Sequence, residues 1–600
     1  MKFLFYISIF ILFIISLFSC NSEEETQQIN QKIFRYNELE FVKTLNPLAI
    51  TNEAERRIVH QIFNGLWRLE NDGNFYPSLA DSTKQIDSLT WEFVLKPTIQ
   101  LHSTSTQEFL TSKDVIESLT NWAKKESKTD KKLSTQTKIF KEIIGTDYEK
   151  AFEIIDEKKF IIHLKIPFSP LIQLLSCTES LIVPNKKNRL GDKFSPVGSG
   201  AFYVDYFEDN QKITLKKNQN YFHKTIKLDT LPLLDEIHVY FYQNSEHTAH
   251  KILNNELDWI PSSLQSYTVL PFIIQKEKEL SQKKYNDNSD KSENQSKRFV
   301  SKFIQIDSFP ILKTAGFEIQ ISDTSDVDLR ANFFTIQSFR QALNMGIYRE
   351  SFKQNVSFYA PAHEGIFPNI LPKHTQNKAN GYYYHPQTSK GILQKVGFDS
   401  TNFIKIFAEK KDTVWVNIAR KQWKSIGINS ILYLDKINKS KADLIATTFE
   451  SNFADESFLF WKYFDVKSYN EFLIEKEGFL EFEKAKINNQ SDSIRINKND
   501  LFALKQLDFD SLFIEYLTQK NEIEREFLSN QLKNNLIRSS PFIEIFYLQT
   551  HQIRRSYIAE LVPNTLGIYH FDRLDKSILE SVELIREDYM YEEKSVNSEQ

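Results

Sequence analysis

Six hundred residues, 41% hydrophobic and 26% charged, are too many for one compact core and enough for roughly two to four domains. The formal charge of −4, with acids and bases interspersed, leaves no polycationic face, so nucleic acid is excluded as a partner. Two cysteines, Cys20 and Cys177, exclude a disulfide-built scaffold.

The chain opens MKFLFYISIFILFIISLFSC: one lysine, an apolar run to Ser19, then Cys20. The run is short for a bilayer span and ends at a small residue, which fits a secretory signal over 1–19; an uncleaved anchor is the alternative, and it tethers the same body. LFSC resembles the lipobox of bacterial lipoproteins, which implies lipidation of Cys20. Residues 20–32 are polar, acidic and aperiodic, a solvated tether.

From Ile33 the pattern becomes globular. QKIFRYNE predicts a strand, TLNPLAITN a loop, and EAERRIVHQIFNGLWRL a helix closed by Gly65, with Ile58, Ile62 and Leu66 four apart. WEFVL predicts a strand, and in FLTSKDVIESLTNWAKK Ser112 is placed to cap a helix whose first turn carries Asp114. KFIIHLKIPF (159–168) alternates as a strand and SPLIQLLS is a short helix. Cys177 follows among apolar neighbours that raise a thiol pKa, so it reads as structural.

SPVGSGAFYVDYF (195–207) places Gly198 and Gly200 together in a chain of only 15 glycines. A phosphate loop needs a helix after the glycines, whereas AFYVDYF is strand-like and no Gly-Lys-Ser/Thr follows, which rules out a nucleotide loop. KITLKKNQNYF is another strand. SEHTAHKILNNELDWI is helical, and its His247 and His250 read as solvated, since H-E-x-x-H is absent. The charged, low-complexity stretch 275–298 reads as a solvated insertion. Beyond it come an extended RFVSKFIQI, helices in FTIQSFRQALNMGIYRESFKQNV and SKGILQKVGF, and VWVNIARKQWKSIGINSILYL, a helix that turns through Gly427 into a strand. EIEREFLSNQLKNNLI is helical and PFIEIFYL a strand. Helices mixed with short strands predict an α/β class. No nucleophile elbow or other catalytic motif is present, so an enzyme is not expected, nor any cofactor or bound metal.

Several segments, in order, resemble the family 5 extracellular solute-binding proteins, the oligopeptide- and dipeptide-binding receptors of ABC importers. These are TLNPLAITNEAERRIVHQIFNGL, WEFVLKP with FLTSKDVIESL, SPVGSGAFY followed by KKNQNYF, ILNNELDWI, SFRQALNMGIYRESF with APAHEGIFP, LQKVGF and QWKSIGINSIL. The resemblance implies a two-lobed periplasmic-binding-protein-like fold of the large peptide-binding type, with an extra subdomain, closing over a ligand. Lobe I is expected over 33–75, 196–298 and 546–600, the subdomain over 76–195 and lobe II over 299–545. It further implies that Gly198 and Gly200 form a turn permitting φ > 0.

In peptide-binding members an aspartate of a g-W-x-x-D-y-x-D-P segment holds the peptide ammonium. The matching segment here is TFESNFADES (448–457), so Phe449 replaces the tryptophan, Asn452 the aspartate, and Asp455 keeps the second acid. Asparagine carries no charge, so the clamp is missing or moved. Glu450, two residues away on an extended chain, shares the face of Asn452; it either supplies the carboxylate or faces solvent. The resemblance also assigns main-chain ligand contacts to Thr51 and Asn52. The expected partners are a peptide or other small solute, an ABC permease complex and, through the lipid on Cys20, a bacterial membrane on its periplasmic side or at the cell surface, with the protein a monomer. The alternative is a surface lipoprotein that keeps the fold as a sensing, adhesion or partner-binding module.

Overall fold

The computed structural model describes residues 32–102, 107–126, 133–185, 187–190, 193–224, 230–261, 263–287, 304–320, 333–354, 359–361, 383–399, 401–451, 453–463, 509–558 and 561–575. The leader 1–19, Cys20, most of the tether, the second part of the insertion, and Asn452 lie outside them.

In chain order the elements that position the site are β1 (Ile33–Asn37), α1 (Glu53–Ile62), β2 (Ala80–Gln85), β3 (Thr90–Leu95), α2 (Ser112–Lys124), α3 (Thr135–Ile144), β4 (Phe152–Ile154) and β5 (Lys159–His163). They continue with β6 (Phe202–Glu208), β7 (Lys212–Lys217), β8 (Glu236–Tyr240), α4 (Ser245–Leu253), β9 (Trp259–Ile260), α5 (Ser263–Asp287) and β10 (Ile304–Ile319). The last are α6 (Gln337–Met345), α7 (Pro386–Lys395), β11 (Phe403–Phe407), α8 (Thr413–Ser425), β12 (Asn429–Tyr433), β13 (Leu444–Glu450), α9 (Ser457–Trp461), α10 (Glu522–Ser539) and β14 (Phe542–Arg555).

One mixed sheet runs β6-β7-β8-β1-β9-β14-β10-β13-β11-β12, and a separate four-stranded sheet runs β2-β3-β5-β4. Parallel pairs lie toward both ends, β1 with β8 and β11 with β12. The antiparallel ribbon of β10 and β14 joins the two halves. Each half has its own core: Phe34, Ile58, Phe202 and Trp259 in one, Phe317, Phe339, Trp415 and Trp423 in the other. Aromatic pairs fix both, Phe34 against Trp259 at 5.9 Å and Phe317 against Trp423 at 5.0 Å.

The small sheet and its helices carry a third core around Trp91, Phe93, Trp122 and Phe140, with Cys177 buried in it. Burial pushes that thiol up, as a structural cysteine requires. The same cluster continues into Phe453, Trp461 and Phe513. Phe168 meets Trp461 edge-on at 5.8 Å, and the Ser169 amide donates to the Leu517 carbonyl at 2.8 Å.

Four local expectations are corrected. Helix α1 ends at Ile62 rather than Gly65, and WRL is a strand instead. Thr111, not Ser112, caps α2: its hydroxyl takes the Asp114 amide while the Asp114 carboxylate takes the Thr111 amide. Residues 275–287, expected to be a solvated insertion, continue α5. Lys, Glu and Gln favour a helix, and Val269 and Ile273 anchor it on Ala249 and Ile252 of α4.

The fourth concerns the glycines. Neither Gly198 nor Gly200 has positive φ; Gly73, Gly145, Gly397, Gly427 and Gly567 do. The constraint is close approach. A Cβ on Gly198 would lie 2.1 Å from the Ile62 carbonyl oxygen, and one on Gly200 2.3 Å from that of Gln61. The bare backbone lets the Gly200 amide donate to the Ile62 carbonyl at 2.8 Å, satisfying an acceptor that the end of α1 leaves open. Asn218, from the KKNQNYF segment, donates to the Gly200 carbonyl at 2.9 Å, so two segments read separately in the sequence meet here.

Candidate functional site

The loop before α1 is pinned by the buried Glu55. Its carboxylate accepts the Lys43 amide at 2.9 Å and the Thr51 amide at 2.5 Å, while Asn52 Oδ1 caps the helix by accepting the Glu55 amide at 2.9 Å. Thr51 and Asn52 therefore set where the helix starts, and with it the position of Glu53, Arg56 and Arg57.

Facing them is an irregularity in the long ribbon. The register between β10 and β14 shifts between Pro310 and Thr314, so more residues of β10 than of β14 cross that gap. A bulge of this kind re-aims side chains. Its backbone is satisfied from outside the ladder: the Ser451 amide donates to the Leu312 carbonyl at 2.9 Å, and the Leu312 amide to that of Thr565 at 3.1 Å.

Between helix and bulge lies a cavity of about 350 Å³. Its apolar wall comes from Pro261, Ile311, Leu548 and Leu566, and its charged wall from Glu38, Glu40, Glu53, Arg57 and Lys313. A volume near the lower end of ordinary small-ligand sites, mostly apolar with a few convergent polar groups, suits a small solute.

The charges form two sets. Arg57 holds Glu38 bidentately, at 2.6 and 3.0 Å, with its guanidinium 5.6 Å from the Trp259 ring centroid. Burial raises the Glu38 carboxyl above its ordinary pKa against the pull of Arg57, and the charges of Glu40 and Glu53 push the same way. The second set spans both halves of the sheet. Lys313 lies 2.9 Å from Glu450 and 3.2 Å from Glu53; Arg56 lies 3.4 Å from Glu450 and 3.5 Å from Glu53. Burial alone would raise the Glu53 carboxyl, but Arg56 and Lys313 hold it down at about 2. Burial likewise opposes the Lys313 ammonium, and Glu53 and Glu450 more than compensate.

Of the residues read from the sequence, Glu450 stands in this ring, carrying Lys313 and Arg56. Phe449 is buried against Phe458 and Phe542, with the Lys462 ammonium 4.6 Å from its ring centroid. Asp455 is buried too, accepting the Ser457 amide at 2.8 Å and the Tyr516 hydroxyl at 3.0 Å. Thr51 and Asn52 sit at the helix start as described. Reading the sequence passed over Glu38, Glu40, Arg57 and Lys313. The available signals were an Arg-Arg pair on an amphipathic helix and a lysine inside the apolar run FPILKTAGF. Among the described residues no three His, Cys, Asp or Glu side chains converge to hold a metal ion, and His247 and His250 are exposed on α4. No helix among them is long and apolar enough to cross a membrane.

The model of the bacterial extracellular solute-binding proteins, family 5, matches residues 74–470. No curated protein sequence matches. Among solved structures, HbpA2 from Haemophilus parasuis superposes with a TM-score of 0.63 at 15% identity, over 90% of this chain and 99% of that one. The periplasmic binding protein DppA from Helicobacter pylori, in complex with the peptide STSA, gives 0.61 at 16% identity over 90% and 97%. NikZ from Campylobacter jejuni, in complex with Ni(L-His), gives 0.58 at 16% identity over 90% and 97%. At such identities the likeness establishes the fold.

Proposed function

The chain belongs to the family 5 extracellular solute-binding proteins, non-enzymatic capture components of ABC importers for peptides and related ligands, and on that premise we propose that it captures a small solute in the cavity at the ribbon bulge and presents it to a permease. The observation that carries this reading is the cavity itself. About 350 Å³ of largely apolar space is walled on one side by the start of α1 and on the other by the two strands that join the halves.

In this reading lobe I comprises 33–75, 196–298 and 546–600, lobe II comprises 299–545, and 76–195 is the extra subdomain. The lobes close about the β10–β14 ribbon, and contacts from both lobes favour the closed form. Thr51 and Asn52 set the start of the helix that brings Glu53 and Arg57 to the wall, and Glu450 reaches the same wall through Lys313. Glu450 draws the lobes together through Arg56. A lipid on Cys20 holds the body at the membrane, and the monomer acts alone.

The test is to denature the purified full chain, identify the released small molecules by mass spectrometry, and add each back in a thermal-shift assay. A stabilising solute is expected. If nothing is released and peptides, amines and metal–histidine complexes leave the melting temperature unmoved, solute capture is wrong and a partner-binding module is the better reading.

A further inference from the structure

The outer edge of the large sheet, at β12, carries a charge opposite to the chain's. Strands β11 and β12 run parallel, with Phe407 opposite Tyr433, so the segments that follow them leave the sheet side by side. Each folds into a short 3₁₀ turn, Lys410–Asp412 after β11 and Lys436–Lys441 after β12. The Ala408 amide donates to the Tyr433 carbonyl at 3.0 Å, and the Lys439 ammonium lies 5.6 Å from the Phe407 ring centroid. Together the two segments hold Lys410, Lys411, Lys436, Lys439 and Lys441 against Glu409, Asp412 and Asp435, five cations to three acids in a chain whose net charge is −4.

The acids are already occupied. Glu409 is taken by Lys411 at 3.0 Å, Asp412 accepts the Trp415 indole N–H at 3.1 Å, and Asp435 accepts the backbone and side-chain amides of Asn438 at 2.9 Å. Lys411 holds the Glu409 carboxyl below its ordinary range, and Lys436 and Lys439 are near enough to add to that pull. Among the described residues Lys410, Lys436, Lys439 and Lys441 form no ion pair, and all four are exposed. Between Lys436 and Lys439 in the chain stands Ile437, 84% exposed, with Leu434 exposed three residues earlier. Protein interfaces are poor in lysine and favour aromatic residues, Met and Arg. Lysine instead suits a boundary between apolar and charged layers, where its stem lies along the first and its ammonium reaches the second. An aliphatic tip among lysines therefore fits an anionic lipid surface better than another protein.

On the reading that a lipid on Cys20 tethers the body, we propose that these two turns are a membrane-contact surface whose partner is the anionic phospholipid of the membrane that holds the anchor. Ile437 and Leu434 enter the head-group boundary, and the lysines around them meet lipid phosphates. The tether is long enough: residues 20–32 span at most about 45 Å, while β12 lies six strands from β1, about 29 Å across the sheet. The anchored body rests on the outer edge of lobe II instead of swinging freely. Each lysine close to such a surface strengthens the contact about fivefold.

The experiment follows hydrogen exchange of the purified full chain on vesicles of phosphatidylcholine alone and on vesicles that also contain phosphatidylglycerol. Association with the neutral vesicles reads the anchor; exchange at 409–412 and 434–441 on the mixed ones reads the contact. Amides in the two turns are expected to exchange at least about threefold more slowly on the mixed vesicles, and high salt should remove the difference. Lys436→Glu combined with Lys439→Glu should abolish the slowing, and Ile437→Ser should weaken it. All three positions are exposed, so the variants should keep the wild-type urea midpoint, which separates lost contact from lost fold. A chain that binds both kinds of vesicle with equal exchange in the turns overturns the contact and leaves the anchor standing. A chain that ignores neutral vesicles lacks the anchor; slowing on mixed vesicles upholds the contact in that case too, and its absence overturns both. Slowing that appears only on native membranes and is lost when they are shaved with protease overturns the lipid partner in favour of a membrane protein.

Discussion

The two ends of helix α1 meet opposite demands. At its C-terminal end Gly198 and Gly200 bring bare backbone against Gln61 and Ile62, and nothing larger than hydrogen fits. At its N-terminal end Glu53 and Arg56 reach Lys313 and Glu450 far along the chain, Arg57 reaches back to Glu38, and a cavity is left beside them. One end is closed by removing side chains, the other held open by charged ones. The first fixes where the helix sits; the second decides what can sit beside it.

The comparison can be broken most sharply at the open end. Arg57→Met leaves Glu38 buried and uncompensated, which should cost about 3–5 kcal/mol, read as a lower urea midpoint with unchanged slope. A cost below about 1 kcal/mol would mean that Glu38 is not held by Arg57. At the closed end, Gly200→Ala forces a methyl onto backbone atoms and should cost about 3 kcal/mol. Gly391, inside α7 with nothing within 4 Å of an added Cβ, is the control: Gly391→Ala should be neutral or stabilise by up to about 1 kcal/mol. Equal effects at the two glycines would refute close approach as the reason for Gly200.

The closed end also titrates. His102 donates through Nε2 to the Gly200 carbonyl at 2.8 Å, and burial pulls its pKa down to about 4 despite that bond. A lowered folded pKa means the unfolded chain takes up the proton first. The contribution is therefore complete above about pH 6.5 and is lost as pH falls toward 4, amounting to about 3 kcal/mol. Urea midpoints measured across that window should fall, and His102→Gln should flatten the fall; an unchanged slope would remove His102 as its cause. The smallest effect is expected at Glu450. Its pairs are partly exposed, so Glu450→Gln should change stability by less than about 1 kcal/mol. A larger loss would make the ring a structural clamp.

How much was legible in the sequence follows the same division. Strands at Ile33–Asn37 and Thr90–Leu95, the helix that turns through Gly427 into a strand, and the ordered family segments are written locally, in periodicity and glycine placement. The clustering of Gly198 with Gly200 marked a constraint correctly, yet its cause is contact with a helix more than a hundred residues earlier, which no local pattern displays. Glu53, Lys313 and Glu450 are brought together across the sheet by a ribbon bulge that neither strand's sequence announces. Glu450 was singled out from its spacing to Asn452, but its two cationic partners come from other elements. Glu40 escaped notice because a lone acid after a strand looks like any solvated side chain until the cavity beside it is seen.

The central claim is that the cavity holds a solute, and filling it with protein tests that most directly. Small molecules released on denaturation would be counted for wild type and for Ile311→Trp, whose indole takes up space on the apolar wall. The account predicts close to one solute per wild-type chain and none from a variant that still unfolds cooperatively. Equal release from both would contradict it and place the solute elsewhere.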